Sequence, residues 1–345
     1  MLIREREPSI WALTQEYVGP DGRTRNRRGF FARVRVEDYG PGRIRPHERT
    51  HPGPKQDRLD LTRATRANLS PIFSLFPDAD DAAWRAIEPQ ASGEPFAETR
   101  DADGTVNRLW RVGDEATIER VQEVLADKEL LIADGHHRYE TARVYAEEIG
   151  GEGEHRYVLM FLCSLSDPGL TIFPTHRLLT DLKESSTQER LGAAIKEAFS
   201  IEPIGHDELE PPADLPGIVM GYMDSHLKQG YRLKLKDQGV ADAALAEKPV
   251  PYRRLDTAVL EALILRGALG MTDDDIDHKH GLDYSKDTPD AVDAVTSGRA
   301  DAAFYMRGIP VDQVREVAEA GESMPPKSTY FYPKVPTGLV FNPLE

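Results

Sequence analysis

One junction near the middle of the chain constrains its fold and chemistry more than any other feature. In the 345-residue sequence, an apolar run at residues 130–133 leads through Asp134 and Gly135 straight into a segment with helical spacing. The apolar side chains of that segment recur every three to four residues and are followed by a Gly-Gly stop at residues 150–151. They are Tyr139, Ala142, Tyr145, Ala146 and Ile149. The sequence therefore predicts a strand, a tight turn and a helix in direct succession.

The turn itself, Asp134-Gly135-His136-His137-Arg138, has the composition of an anion site. Backbone N–H groups at the start of a helix lack partners, and Gly135 lets a ligand approach the main chain. We expect Arg138 to neutralise phosphate, and His136 and His137 to bind phosphate oxygens or to transfer a proton. Asp134 is placed to hold a metal ion or to orient an acceptor. The alternative is a surface hydrogen-bond cluster in which these side chains bind only one another.

Charge and composition limit the possible functions. The chain has 43 basic and 59 acidic residues and a formal net charge of −16, which disfavours general nucleic-acid binding. No stretch reaches the roughly 18 apolar residues of a membrane helix, and the N-terminus lacks the core of a signal peptide. We therefore expect a soluble cytoplasmic protein. The single cysteine, Cys163, lies in an apolar strand and is interpreted as a buried structural thiol.

An arginine-rich run is a candidate basic patch; it comprises Arg23, Arg25, Arg27, Arg28, Arg33 and Arg35. We favour another interpretation. Arg33 and Arg35 are expected to project into solvent from a strand whose alternate residues face inward, while the remaining arginines decorate a turn.

Helical and strand-like segments alternate along the chain, which predicts an α/β or α+β fold with mixed sheets and flanking helices. Two strands, at residues 10–18 and 29–39, open the fold as a hairpin. A polar cluster at residues 178–187 suggests two domains. The first, residues 1–180, would carry the turn; the second, residues 181–345, would end in a strand that is placed to return to the site.

Three further segments carry candidate phosphate or metal ligands. Residues 40–58 show no periodicity and are interpreted as a long loop of functional importance; its polar side chains include His47, Glu48, Arg49, His51, Lys55, Asp57 and Arg58. His176 and Arg177 follow a short strand and form either a second phosphate clamp or a cap of the next loop. Lys327 and Lys334 flank an aromatic strand at residues 328–332 and either hold phosphate or lie in solvent.

In their order, these motifs resemble the domain-of-unknown-function 1015 family of bacteria and archaea, which is often encoded beside serine-biosynthesis genes. The resemblance spans nearly the whole chain and rests on IADGHHRY at residues 132–139, HERT at 47–50, GPKQDR at 53–58, PTHR at 174–177 and MPPKSTYFYPK at 324–334. Members of that family usually carry a further segment before the part that begins here at Met1. We therefore expect a chain that is short at its N-terminus.

The turn alone is also similar, more distantly, to the phosphate-binding turn of sulfiredoxin, of ParB-type nucleotide-binding proteins and of the archaeal free-serine kinase. That resemblance implies phosphoryl transfer between a nucleotide, ATP or ADP, and a small polar metabolite such as free serine, with magnesium bridging the phosphates. Glu48 is the candidate for a remote general base. Sulfiredoxin carries its reactive cysteine where this chain has His136, so sulfinic-acid reduction is not expected.

Two other classes of function stay open at this stage. The protein could be a nucleotide-responsive binding module, in which binding changes the affinity for a partner. It could also be a metal-dependent hydrolase that uses His47, Glu48, Asp134 and His136. The sequence does not determine the nucleotide, the substrate or the oligomeric state.

Overall fold

The computed structural model describes residues 3–19, 22–48, 53–182 and 184–345, together with the side chains of all of these except residues 53–55. The chain divides into two compact units. The first comprises Met1–Thr171 and Phe331–Glu345, and the second comprises Ile172–Tyr330. The C-terminal end of the chain thus belongs to the same unit as the Asp-Gly-His-His-Arg turn. The sequence-based boundary, after residue 180, falls inside the second unit.

A mixed sheet forms the centre of the first unit. Its strands are β1 (Ile10–Val18), β2 (Thr24–Arg35), β3 (Ile44–Pro46), β5 (Ile72–Phe76), β6 (Ala97–Arg100), β7 (Val106–Val112), β8 (Leu130–Asp134) and β9 (Tyr157–Ser164), and the short pair β4 (Ala67–Asn68) and β18 (Asn342–Pro343) lies apart from it. Within the described ranges the order of the strands is β3-β8-β5-β9-β2-β1-β7-β6. Strand β8, which leads into the turn, runs parallel to β3 and antiparallel to β5. The turn therefore follows a strand that lies next to the edge of the sheet.

Helices of the first unit pack against this sheet. They are α1 (Gly53–Thr65), α2 (Ala82–Ile87), α3 (Glu115–Leu125) and α4 (His136–Ile149). Helix α3 starts at Asp114, whose carboxylate accepts the Thr117 N–H at 2.9 Å, as expected for a helix cap. Buried side chains from three of the helices, including Trp84, Val121 and Tyr139, pack with Ile132 of β8 in one core.

The second unit has its own sheet and core. Its strands are β11 (His176–Leu179), β12 (Phe199–Ile204), β13 (Val219–Asp224), β14 (Gly230–Leu235), β15 (Leu282–Ser285) and β16 (Ala302–Tyr305), in the order β12-β14-β13-β16-β11-β15 for the part of the chain described. Its helices are α5 (Ser185–Ala198), α6 (Gln238–Ala244), α7 (Asp256–Leu260), α8 (Asp273–His278), α9 (Thr288–Thr296) and α10 (Val311–Glu319). Helix α7 continues in wider π turns over Glu261–Ala268. Strands β10 (Thr171–Phe173) and β17 (Tyr330–Tyr332) lie where the chain passes from one unit to the other.

The fold class predicted from the sequence, mixed α/β with flanking helices, is confirmed. Strand β1 has the predicted bounds, and β8 passes through a single glycine into α4 as expected. The loop predicted for residues 40–58 is wrong in part, because β3 and the start of α1 lie inside that segment. A strand of three residues is too short for a periodic pattern to reveal it.

The arginine-rich run divides into two groups. Arg33 and Arg35 lie on the exposed side of β2, which confirms their expected orientation. Arg27 contradicts the expectation that it decorates a turn, because it lies within β2 and its side chain is fully buried. Strand β2 begins at Thr24, earlier than the sequence pattern indicated, since the polar residues before Gly29 conceal the alternation of the strand.

Two other expectations concern the interior and the membrane. Cys163 is buried in β9, which confirms its burial, and burial raises the pKa of its thiol well above the ordinary value. Among the described residues, no helix combines the length and the apolar character that a membrane span requires.

We expect Ile132→Ala to destabilise the protein by about 2–5 kcal/mol, because Ile132 is completely buried and its loss leaves a cavity beside α4. Ile149→Ala is the matched control, since Ile149 is half exposed at the end of the same helix; its cost should stay within about 0.5 kcal/mol. Urea unfolding followed by circular dichroism measures both. Equal losses for the two variants would contradict the packing of β8 against α4.

Candidate functional site

The backbone of the turn requires glycine at one position. Gly135 lies between β8 and α4 with a φ of +98°, in the left-handed region where other residues are strained. A Cβ atom added at Gly135 would lie 2.8 Å from both Nε and Nη2 of Arg138. The Arg138 side chain therefore folds back across the turn and covers the Gly135 Cα. This arrangement places a guanidinium group directly at the N-terminus of α4.

Two cations bind the carboxylate of Asp134, one on each oxygen. Arg138 Nη2 donates to Oδ2 at 2.6 Å, and Lys334 Nζ donates to Oδ1 at 2.5 Å. Burial alone would raise the pKa of Asp134, but the charges of Lys334 and then Arg138 outweigh it and hold the pKa below the ordinary value. The C-terminal segment, Phe331–Glu345, thus supplies a cation to a turn that lies 200 residues earlier in the sequence.

Two buried histidines lie behind this ion cluster. His47 and His136 meet edge to face, with their ring centres 4.7 Å apart. The His47 ring also packs against Phe331, at 5.5 Å. His47 Nδ1 lies 2.6 Å from the carbonyl oxygen of Ile132 and must donate to it, because a carbonyl only accepts. The residue after strand β3 is thereby tied to strand β8.

The hydrogen bonds also determine the protonation of His136. Its Nε2 accepts the backbone N–H of His47 at 3.3 Å, so the proton of the neutral ring resides on Nδ1. Burial, followed by the nearby histidines, lowers the pKa of His136 well below 6.5. Burial likewise lowers the pKa of His47, against the opposing effect of Glu48. His136 is therefore a neutral ring inside the protein, and its Nε2 binds the backbone rather than a phosphate oxygen.

The other candidates of the first unit lie around this core. His137 is half buried in the first turn of α4, and its carbonyl oxygen accepts the Thr141 hydroxyl at 2.8 Å. Glu48 is also half buried, with Oε1 3.7 Å from His47 Nε2. The predicted candidates Arg49 and His51 lie outside the described residues, as does the side chain of Lys55.

An open cleft of about 70 Å³ lies beside the turn. Arg58 of α1 and Arg138 both line it, and its other walls include the apolar and aromatic side chains Leu61, Tyr145 and Leu344. Burial lowers the pKa of Arg138, and the like charge of Arg58 lowers it further, although Asp134 opposes both effects. The cleft therefore combines two cations at one place with an apolar surface.

His176, Arg177 and Lys327 belong to the second unit. His176 is fully buried; its Nδ1 accepts the Met306 N–H at 3.1 Å, and its Nε2 lies 2.9 Å from the Thr288 hydroxyl oxygen. Arg177 is also buried and donates to the carbonyl oxygens of Thr175 and Pro326. Lys327 is exposed in a turn with a φ of +56°. His176 and Arg177 therefore bind groups inside the second unit, most of which lie more than 100 residues away in sequence.

Asp134, His47 and His136 are also the candidate ligands for a metal ion. Within the described ranges, no group of three His, Cys, Asp or Glu side chains is placed to hold one. Asp134 can offer a single carboxylate, and both of its oxygens already bind cations.

Sequence reasoning missed a buried polar group beside the site. Gln15, Arg27 and Asn107 lie on neighbouring strands of the sheet, almost without solvent exposure, and are joined by side-chain hydrogen bonds. Gln15 also donates to the backbone carbonyl oxygen of Lys334 at 3.1 Å. In the sequence, each of these residues has polar neighbours and looks like an ordinary surface residue. Only the inward direction of their strand positions distinguishes them, and the pattern of β2 did not reveal that direction.

We expect Gly135→Ala and Gly104→Ala to destabilise the protein by about 1–3 kcal/mol each, because both positions have a positive φ. Gly104 is the matched control, since nothing lies within 4 Å of its added Cβ. Gly135→Ala should cost more, because the new methyl group displaces Arg138 from Asp134. In an Arg138→Ala background the extra cost should vanish. Urea unfolding of Gly135→Ala, Gly104→Ala, Arg138→Ala and the Gly135→Ala/Arg138→Ala double variant tests this. An extra cost of Gly135→Ala that persists without Arg138 would contradict the described contact.

The pH dependence of stability should report on His176. Burial, followed by the nearby charge of Arg177, lowers the pKa of His176 from 6.5 to about 4. The unfolded chain therefore takes up a proton that the folded protein refuses, so stability should fall as the pH decreases from 6.5 to about 4. His176→Asn should remove up to about 1.4 kcal/mol per pH unit of this dependence. Unfolding midpoints at several pH values measure the slope, and identical slopes would contradict a neutral buried His176.

Comparison with solved structures finds distant similarities. The chain resembles a conserved hypothetical protein from Pyrococcus furiosus, with 14% identity, 89% of this chain and 93% of that chain covered, and a TM-score of 0.43. It resembles free serine kinase in complex with AMP, with 12% identity, 91% of each chain covered and a TM-score of 0.44. It also resembles SbnI with C-terminal truncation from Staphylococcus aureus, with 10% identity, 87% and 82% covered and a TM-score of 0.43.

Comparison with families and curated sequences gives a clearer result. No curated protein sequence matches the chain. Residues 1–258, which include the turn with Arg138 and His47 but not Lys334, match a family described as "Protein of unknown function (DUF1015)". This match extends over more than half of the chain. The chain therefore belongs to the DUF1015 family.

Proposed function

We propose that this protein is a nucleotide-dependent phosphotransferase that acts on a small polar metabolite. The observation that carries the proposal is the convergence of cations at the start of α4. Arg138 and Lys334 both bind Asp134, and Arg58 lines the cleft that Arg138 also lines. One carboxylate does not neutralise this group, so the described cluster carries a net positive charge.

A nucleotide matches both parts of this surface. Its phosphates would bind Arg138, Arg58 and the backbone N–H groups at the N-terminus of α4, since charge-assisted bonds and the helix dipole both favour an anion there. Its base and sugar would lie along the apolar wall with Tyr145 and Leu344. Gly135 leaves room for the Arg138 guanidinium at the start of α4, because a side chain at that position would compete with it for space.

Phosphoryl transfer needs positioning and charge compensation more than a protein nucleophile. Arg138 and Lys334 would compensate the charge that moves between phosphate oxygens, and Asp134 would hold these two cations in place. Glu48, next to His47, would take the proton of an acceptor hydroxyl. A magnesium ion would be held mainly by the nucleotide phosphates, and it would supply further charge compensation there.

The acceptor is proposed on sequence grounds. The Asp-Gly-His-His-Arg motif resembles the corresponding turn of the archaeal free-serine kinase, and free serine carries the hydroxyl that such a reaction needs. We therefore propose a small hydroxylated metabolite, with serine as the first compound to test. The assay that tests serine also determines whether ATP or ADP is the phosphate donor.

We expect ATP or ADP with magnesium to raise the melting temperature, because a ligand that binds only the folded state stabilises it by about 2.7 kcal/mol at one hundred times its Kd. Thermal unfolding with ATP, ADP and CTP measures this, and incubation with serine followed by mass spectrometry measures the product. Nucleotide binding without any phosphorylated product would favour a nucleotide-responsive binding module instead. Unchanged melting at millimolar nucleotide would refute both functions.

We expect Arg138→Met to weaken nucleotide binding by roughly ten- to hundredfold, since a charge-assisted contact to phosphate contributes about 1.5–3 kcal/mol. Arg120→Met is the matched control, because Arg120 is an exposed arginine of helix α3 that pairs only with a neighbouring glutamate among its described contacts. Isothermal titration with ADP measures both. Equal affinities for the two variants would place the nucleotide elsewhere.

A further inference from the structure

Arg27 is a fully buried arginine without a carboxylate partner in its described hydrogen bonds. Its Nε and Nη2 both donate to Gln15 Oε1, the first at 3.1 Å, and Nη1 has no hydrogen-bond partner among the described residues. The guanidinium stacks on the ring of Phe73 at 4.5 Å and lies 5.3 Å from the centre of the Phe161 ring. A buried charge of this kind is costly, so the fold retains Arg27 at the expense of stability.

The arginine determines the orientation of the Gln15 amide. A guanidinium has only donors, so the amide oxygen of Gln15 must face Arg27 and its Nε2 must face the other way. Nε2 then donates to Asn107 Oδ1 at 2.8 Å and to the carbonyl oxygen of Lys334 at 3.1 Å. Every donor and acceptor of the Gln15 side chain is therefore used, and none of these bonds survives a reversal of the amide.

Lys334 is thus held from inside the sheet as well as from the site. Gln15 fixes its carbonyl oxygen, and its ammonium group binds Asp134 at 2.5 Å. Phe331, three residues earlier, packs edge to face on Phe73, which is the same ring that supports the Arg27 guanidinium. The buried arginine and the C-terminal segment therefore share one aromatic support and one amide link.

We propose that Arg27 and Gln15 are positioning residues that act through Lys334 and set its ammonium group at Asp134. The proposal deepens the proposed function and rests on it in one respect: the position of Lys334 would set the affinity of the cluster for nucleotide phosphate. Neither Arg27 nor Gln15 touches the ligand in this scheme. A purely structural role would affect the stability of the sheet but would not act on Lys334.

The first test needs no nucleotide. Acetylation of each lysine by an N-hydroxysuccinimide ester is followed by mass spectrometry in the wild-type protein and in Gln15→Met. Release of Lys334 from Asp134 should raise its acetylation rate up to about fivefold, since an ion pair of about 1 kcal/mol protects by that factor. Gln90→Met is the matched control, because Gln90 makes one described side-chain bond, to Thr117, away from the cluster. Unchanged Lys334 reactivity in folded Gln15→Met would overturn the proposal.

The second test is a double-mutant cycle on ADP affinity. Gln15→Met and Lys334→Met should each weaken binding, and the double variant should bind no more weakly than Lys334→Met alone, because both changes remove the same contact. Losses that multiply would show that Gln15 acts by another route and would overturn the proposal. Arg27→Lys keeps a buried donor for Gln15 and should retain more affinity than Arg27→Met.

The two tests separate this inference from the proposed function. If the wild-type protein does not bind ADP, the proposed function fails, and the acetylation rates still decide whether Gln15 controls Lys334. If ADP binds with equal affinity to the wild-type protein and to Gln15→Met, the positioning role fails, and the phosphate site can stand without it.

Discussion

The ion cluster at Asp134 is the interaction on which the candidate site depends. A carboxylate at the end of a strand binds a guanidinium from the following helix and an ammonium group from the C-terminal segment. Without these two cations, burial would favour the protonated form of Asp134, and the carboxylate would lose its negative charge. The bond to Lys334 joins two parts of the chain that lie 200 residues apart in sequence. The same ion cluster therefore holds the turn in place and brings its charged groups together.

Burial sorts the titratable groups of the turn into two kinds. Asp134 stays ionised because Lys334 and Arg138 both bind it and hold its pKa below the ordinary value. His47 and His136 are buried, and one ring nitrogen of each forms a hydrogen bond with a backbone group. Burial lowers the pKa of both rings, so both stay neutral. Arg138 lines the cleft, while the histidines connect β3, β8 and α4. A motif with two adjacent histidines therefore contains one residue of the interior and one at the surface of the turn.

The buried polar group behind the cluster shows how a sheet can direct a mobile side chain. Arg27 orients the Gln15 amide, and the amide holds the backbone of Lys334. A backbone that Gln15 already fixes has less conformational entropy left to lose when the Lys334 ammonium group binds Asp134. This smaller loss of entropy gives a physical reason for keeping the buried charge of Arg27, which by itself would destabilise the fold.

The sequence by itself determined the local part of the site. The strand, the left-handed glycine and the helix follow from apolar spacing and from the freedom of Gly135, because those preferences act within a few residues. The alternating elements also determined the α/β class. The pairing of Asp134 with Lys334, by contrast, was decided only by the tertiary structure: the C-terminal segment returns to the turn, and Gln15 of β1 binds the backbone of Lys334. Arg27 shows the reason most clearly, since its burial depends on what covers its strand, and a one-dimensional pattern does not contain that information.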